Sequence, residues 1–229
     1  MRVPRAMGPP PRSAAEARAI QDRLRPLVDL VGPGPAAPGT VAGLDVAYAE
    51  DGATLAAAVA VLDATTLTVL DTAVVTGRPA FDYIPGLFAF RELPALLAAL
   101  DRLTVLPDLL VCDGHGLAHP RRFGLACHLG VVTDLPSIGV GKTPLVGVWT
   151  PPPAERGAWS PLRDGDEVVG RVLRTRSGVK PVFVSVGHRV SLDNAVAQVL
   201  ALTPRHRLPE TTRTADRLCR DALATATRR

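Results

Sequence analysis

The chain has 229 residues, of which 47% are apolar and 21% charged, and carries a formal net charge of +4. These are ordinary values for a soluble globular protein with one sizeable core. No apolar run is long enough to span a bilayer and the N-terminus has no apolar signal core, so the expected protein is soluble and intracellular. The mild basicity suits an anionic partner such as nucleic acid, although a GC-rich coding bias explains the abundance of Arg, Ala and Pro equally well. Cys112, Cys127 and Cys219 are odd in number and form no C-x-x-C pair. They read as reduced core residues of a cytoplasmic protein.

Residues 1–12, rich in Pro and Arg, read as a disordered tail, and 13–229 as a single domain. Ser13 and Glu16 form an S-x-x-E capping box. The helix it opens carries Ala17, Ile20, Leu24 and Val28 at helical spacing and ends before Gly32-Pro33-Gly34. Val41–Ala49 reads as a buried strand with one carboxylate, Asp45, in its middle. A charge there is costly unless it is paired or binds a cation. Two further strands, Thr54–Leu62 and Leu67–Val75, follow short turns and predict an antiparallel meander.

Thr76–Ala89, TGRPAFDYIPGLFA, is a loop rich in Gly, Pro and aromatics. Tyr83-Ile84-Pro85-Gly86 should project from the scaffold, as wedges that enter base steps do. The alternative is a loop folded onto the core through Phe81, Leu87 and Phe88. Phe90–Leu103 reads as an amphipathic helix with Glu92 in its first turn, where the helix dipole favours it.

Leu109–Cys112 reads as a buried strand ending at Asp113, with Gly114 and Gly116 turning the chain behind it. A carboxylate at a strand end before a glycine turn can hold Mg²⁺ near a phosphate, or simply be a solvated turn residue. His115 and His119 lie in the turn, and Pro120-Arg121-Arg122 reads as a helix start. Their spacing of four also fits a zinc hydrolase, but Gly116 and Pro120 interrupt a helix there and no third ligand is evident. Pro136–Val140 is another apolar piece, delivering Lys142.

Beyond it, Leu145–Trp149 is a short apolar piece and residues 150–167 read as a Pro-rich surface loop. Val168–Leu173 and Val182–Val186 read as strands, Gly187-His188-Arg189 as a turn, Ser191 as a helix cap, and Glu210 to about Ala224 as a last helix bearing Asp216. The order predicts an α/β fold: a mixed sheet with helices on both faces. Asp45 and Asp113 become neighbours if their strands pair.

The motifs VAGLDVAY, YIPGLFAFRELPALL, VCDGHGLAHPRRFGLACHLG, PSIGVGK, VSVGHRVSLDNA and RLPETTRTAD, in this order over roughly residues 40–217, resemble the endonuclease V family. The resemblance implies an RNase H-like fold. It implies a Mg²⁺-dependent phosphodiesterase, with Mn²⁺ also supporting activity. Such an enzyme cuts DNA at the second phosphodiester 3′ to deoxyinosine, leaving 3′-OH and 5′-phosphate ends. By the same resemblance Asp45, Glu92, Asp113, Lys142 and Asp216 are catalytic, with Asp45 and Asp113 the metal ligands. Tyr83, Ile84 and Pro85 match a wedge filling the gap left by the extruded base. The backbone at Gly86, Leu87, Gly114 and Gly139 matches the hypoxanthine pocket, with His119 also contacting substrate.

Three positions depart from the family pattern: Asp82 where the wedge usually begins with Pro, Thr143 where a second Lys is usual, and Thr214 where Trp is often found. The expected protein is a monomer acting on DNA that contains deoxyinosine. The alternatives are an inosine-specific endoribonuclease of the same fold, or a lesion-binding module that does not cut.

Overall fold

In the computed structural model, residues 10–226 are described. Residues 1–9, where most of the predicted tail falls, and 227–229 lie outside the described residues.

The meander forms as its alternation predicts. β1 (Thr40–Tyr48) pairs antiparallel with β2 (Leu55–Asp63), and β2 with β3 (Val69–Gly77). β4 (Leu109–Asp113) and β5 (Ser137–Gly141) continue the sheet in parallel with β1. β6 (Trp159–Asp164), β7 (Glu167–Leu173) and β8 (Val182–His188) complete an eight-stranded mixed sheet in the order β3-β2-β1-β4-β5-β8-β7-β6.

Helices cover both faces, as expected. α1 (Ala14–Leu24) is capped by the Ser13 hydroxyl, which accepts the Glu16 N–H at 3.2 Å. The Glu16 carboxylate reaches back to the Arg12 N–H at 2.8 Å, one residue beyond a standard capping box. α2 (Ala89–Leu100) and α3 (Leu125–Thr133) bury Leu93, Leu96, Leu97 and Leu129 on the face that carries Ala42, Leu44, Leu110 and Cys112. α4 (Leu192–Ala201) and α5 (Glu210–Ala226) cover the other face. α5 comes so close to β1 that a Cβ at Gly43 would stand 2.0 Å from the Thr211 carbonyl carbon. The glycine is therefore required by the packing.

Three local expectations differ. The Pro-rich loop 150–167 contains strand β6. Pro161 is tolerated there because β6 is an edge strand, where a missing N–H leaves no internal ladder bond unmade. Pro120-Arg121-Arg122 is a turn and α3 starts only at Leu125, because Arg122 takes a left-handed φ of 55° and breaks any helix there. Its guanidinium holds that conformation through Asp164 at 2.8 Å, Glu167 at 2.6 Å and the His119 carbonyl at 2.9 Å. β8 extends through His188, so only Arg189, with φ 50°, turns the chain. All three cysteines are free and buried, and no helix among the described residues is long and apolar enough to cross a membrane.

Candidate active site and base pocket

The parallel pairing of β1 and β4 runs from Val41–Leu109 to Leu44–Cys112. One step on, where that pairing stops, Asp45 within β1 and Asp113 at the end of β4 stand at the same level. Alternation from Val41 and Val111 turns both toward the α4–α5 face. Burial pushes the Asp45 carboxyl up to about 7, and the negative charge of Asp113 adds to it, with a smaller contribution from Asp216 on α5. Lys142, the first residue after β5, forms an ion pair with Asp113. Desolvation alone would lower the Lys142 pKa, but Asp113, Asp45 and Asp216 together raise it. Asp216 itself accepts from Arg220 Nε at 3.0 Å.

Glu92 arrives from α2, on the opposite face of the sheet. It is 4% exposed, which a solvated first-turn carboxylate would not be. Burial first, with Asp45 and Asp113 adding to it, raises its pKa to about 8. The Tyr48 hydroxyl, donating to Oε1 at 3.1 Å, works against that rise. Arg91 lies over the Tyr48 ring, 4.7 Å from its centroid, and donates to the Phe81 carbonyl at 3.1 Å and the Gly52 carbonyl at 3.0 Å. All five residues expected to be catalytic thus share one electrostatic cluster. Tyr48 was not singled out from the sequence, although it lies three residues beyond Asp45 in a strand, on the opposite face.

Beside the cluster is a cavity of about 320 Å³, lined among others by Tyr83, Gly86, Phe88, Gly114, His119 and Leu145. Gly114 and His115 directly follow Asp113, and Thr143, also in the lining, directly follows Lys142. Cavity and carboxylates therefore share backbone. The 76–89 loop combines parts of both alternatives, except that Phe88, expected on the core, is 37% exposed and lines the cavity. Phe81, Ile84 and Leu87 pack with Phe90 and Ala17, whereas Tyr83 is 68% exposed and meets Phe88 edge-on at 5.9 Å. Of the wedge tripeptide, Tyr83 and Pro85 are displayed and line the cavity, while Ile84 anchors the loop. Gly86 sits at φ +78°, which glycine adopts without strain.

Two expected pocket residues support the cavity without lining it. Leu87 is buried in the anchor cluster. Gly139 is packed against the 114–116 turn, where a Cβ would stand 2.5 Å from the Gly116 nitrogen. His119 Nδ1 accepts the Arg121 N–H at 3.1 Å, so Nε2 carries the proton and faces the Gly86 carbonyl. Burial holds the ring neutral, with its pKa lowered to about 4. His115 Nε2 meets the Thr143 carbonyl at 3.0 Å. The two rings thus face different partners on a non-helical turn, and no group of three His, Cys, Asp or Glu suited to holding a metal ion exists among the described residues. The zinc-hydrolase arrangement is not formed. Of the three departures, Asp82 is exposed, Thr143 lines the cavity and Thr214 is 9% exposed.

Fold and site together define a mixed α/β protein with an acidic cluster where the parallel strands β1 and β4 part, and a cavity of about 320 Å³ beside it. The sequence profile of the Endonuclease V family matches residues 23–217. The chain is 59% identical over 219 residues to Endonuclease V of Streptomyces avermitilis, covering 95% of each chain. The crystal structure of the Streptomyces avermitilis Endonuclease V superposes with a TM-score of 0.92 at 57% identity, over 99% of this chain and 100% of that one. Endonuclease V of Ciona intestinalis, solved in complex with a 24mer DNA containing an inosine followed by a ribo-adenosine, aligns with a TM-score of 0.81 at 25% identity, over 93% and 98%. The chain belongs to the endonuclease V family, a family of nucleases.

Proposed function

We propose that this protein is a monomeric, cytoplasmic DNA-repair endonuclease. It hydrolyses the second phosphodiester 3′ to deoxyinosine and leaves 3′-OH and 5′-phosphate ends. The observation that carries this reading is that Asp113 and Lys142, which pair with each other, are each followed directly by residues lining the cavity. A base seated in the cavity would bring its own 3′ backbone to the carboxylates.

Asp45 and Asp113 offer only oxygen donors, and their mutual repulsion is what a divalent cation would relieve. Two carboxylates fit Mg²⁺, which takes one or two such ligands and completes its shell with water and phosphate; Mn²⁺ suits the same donors. When bound, such an ion polarises the phosphate and lowers the pKa of a bound water.

The protein's own groups do the rest. Lys142 is a point charge for a non-bridging phosphate oxygen. Glu92, its Oε1 aligned by Tyr48, steers the attacking water. Asp216 adds to the negative field that keeps Lys142 charged. Tyr83 fills the gap left by the extruded base, and the backbone at Gly86 and Gly114 with neutral His119 forms the pocket walls. Extrusion costs a few kcal/mol and is cheapest at a mispaired base.

An endoribonuclease acting on inosine in RNA is the second reading, favoured by the ribo-adenosine that follows inosine in the strand bound by the Ciona relative. Labelled DNA and RNA strands, each with one inosine, incubated with Mg²⁺ or with EDTA, test both readings. Metal-dependent nicking of DNA supports the first, and nicking of RNA alone supports the second. Binding without a nick would leave a lesion-binding module.

A further inference from the structure

Two of the cavity's three walls come from distant parts of the chain, residues 83–89 leading into α2 and residues 114–125 leading from β4 into α3, and residues 143–145 form the third. One side chain bridges the first two. Gln21, on α1, donates from Nε2 to the Gly86 carbonyl at 2.9 Å and to the Phe123 carbonyl at 3.4 Å. Gly86 lines the first wall, and Phe123 directly precedes Gly124 of the second. The Gly86 carbonyl is the one that His119 also faces.

Gln21 is 1% exposed, flanked on the buried stripe of α1 by Ala17 and Leu24. A leucine would fill such a position without burying an amide, so the reason for glutamine lies in its donors. Its oxygen accepts no hydrogen bond. The next residue adds a second tie to the same wall, through the ion pair of Asp22 with Arg121.

From this we infer that Gln21 is a positioning residue that clasps these two walls of the pocket and sets how sharply it discriminates a base, without touching the strand. The inference rests on the reading of the cavity as a base pocket. Helix α1 thereby becomes part of lesion recognition, although it contributes nothing to the acidic cluster.

The test uses the full chain carrying Gln21→Met, which keeps length and packing but loses both donors. Affinities for a deoxyinosine strand and for the same strand undamaged are measured in EDTA, together with amide hydrogen exchange of the free protein. The clasp predicts that the inosine preference falls about tenfold while the undamaged affinity is unchanged. It also predicts faster exchange in both 81–90 and 119–125. Gln21→Glu keeps the shape and donates only while protonated, so its preference should fall as pH rises, which a mere packing defect would not produce. An undiminished preference in Gln21→Met overturns the inference, as does faster exchange confined to α1. If the wild type shows no preference for inosine, the base-pocket reading is what fails, and the exchange of the two walls decides the clasp by itself.

Discussion

Asp45 and Asp113 stand one residue beyond the last paired rung of β1 and β4, Leu44–Cys112, at the same level and on the same face of the sheet. Parallel pairing puts two half-buried carboxylates side by side, with Lys142 paired to Asp113 as the offsetting charge. The cost of that arrangement is visible in the Asp45 carboxyl, pushed up to about 7 by burial and by Asp113. An arrangement that costs stability at neutral pH points to function rather than to folding.

That cost makes stability depend on pH with a definite sign. Asp45 rises from 3.8 to about 7 and Glu92 from 4.5 to about 8 on folding. Between the lower and upper values the folded state binds more protons than the unfolded state, so stability falls as pH rises. Below about pH 6.5 the buried His119 and His128, lowered to about 4 and about 3, work in the opposite direction, so in EDTA it is from about pH 6.5 to about pH 8 that thermal midpoints should decline through the two carboxyls. Added Mg²⁺ should restore more at pH 8 than at pH 5. A midpoint that rises over this range, or a Mg²⁺ effect independent of pH, would argue against the carboxylate cluster.

Lys142→Met should separate chemistry from cation binding. The ammonium faces the phosphate in the proposed reaction but sits on Asp113 in the free protein. Its loss should lower kcat about a hundredfold, as loss of one charge-stabilising donor does. The Mg²⁺ concentration for half-maximal rate should fall, because Asp113 loses its competing partner. Titration of rate against Mg²⁺ reads both.

Tyr48→Phe removes the hydroxyl that donates to Glu92 Oε1. That hydrogen bond lowers the Glu92 pKa, so its loss raises it further. If ionised Glu92 steers the water, the acidic limb of the pH–rate profile should move to higher pH. An unmoved limb would remove Glu92 from that role.

Tyr83→Ala should leave folding nearly untouched, because the side chain is 68% exposed. A stability change below about 0.5 kcal/mol is expected. Preference for inosine over undamaged strand should fall about tenfold, the scale of one lost base-stacking contact. Parallel melting and binding experiments distinguish the two.

Gly43→Ala tests the packing that presents Asp45. A Cβ there would stand 2.0 Å from the Thr211 carbonyl carbon and 2.5 Å from the Thr212 nitrogen. Backbone cannot yield that much without displacing α5, so a loss of about 3 kcal/mol or more is expected in denaturant unfolding.

Much of this was legible in the residues. The β1–β3 meander follows from apolar or alternating runs and the short turns at Asp51-Gly52 and Asp63-Ala64-Thr65, and Asp45 betrayed itself as a charge inside an apolar strand. What escaped depends on non-local contacts. β6 is hidden because Pro161 reads as a loop residue until its edge position is known. The delayed start of α3 depends on Arg122 reaching Asp164 and Glu167 on another hairpin. Glu92 has a sufficient local reason to sit in a first turn, so its burial beside Asp45 could not be foreseen. Gln21 looks like any polar residue of an amphipathic helix until its two carbonyl partners, 65 and 102 residues away, are seen.

The central claim is that the Asp45–Asp113 pair cuts the strand whose inosine occupies the adjoining cavity. The most direct measurement maps the cut on a labelled single-deoxyinosine DNA strand, comparing wild type with Asp113→Asn in Mg²⁺ and following binding in parallel. The account predicts one nick at the second phosphodiester 3′ to inosine from the wild type. It predicts a rate lower by about a thousandfold in the variant, the scale of losing a metal-held charge, with strand binding retained. Wild-type cleavage by Asp113→Asn, or a nick placed without regard to the inosine, would contradict it.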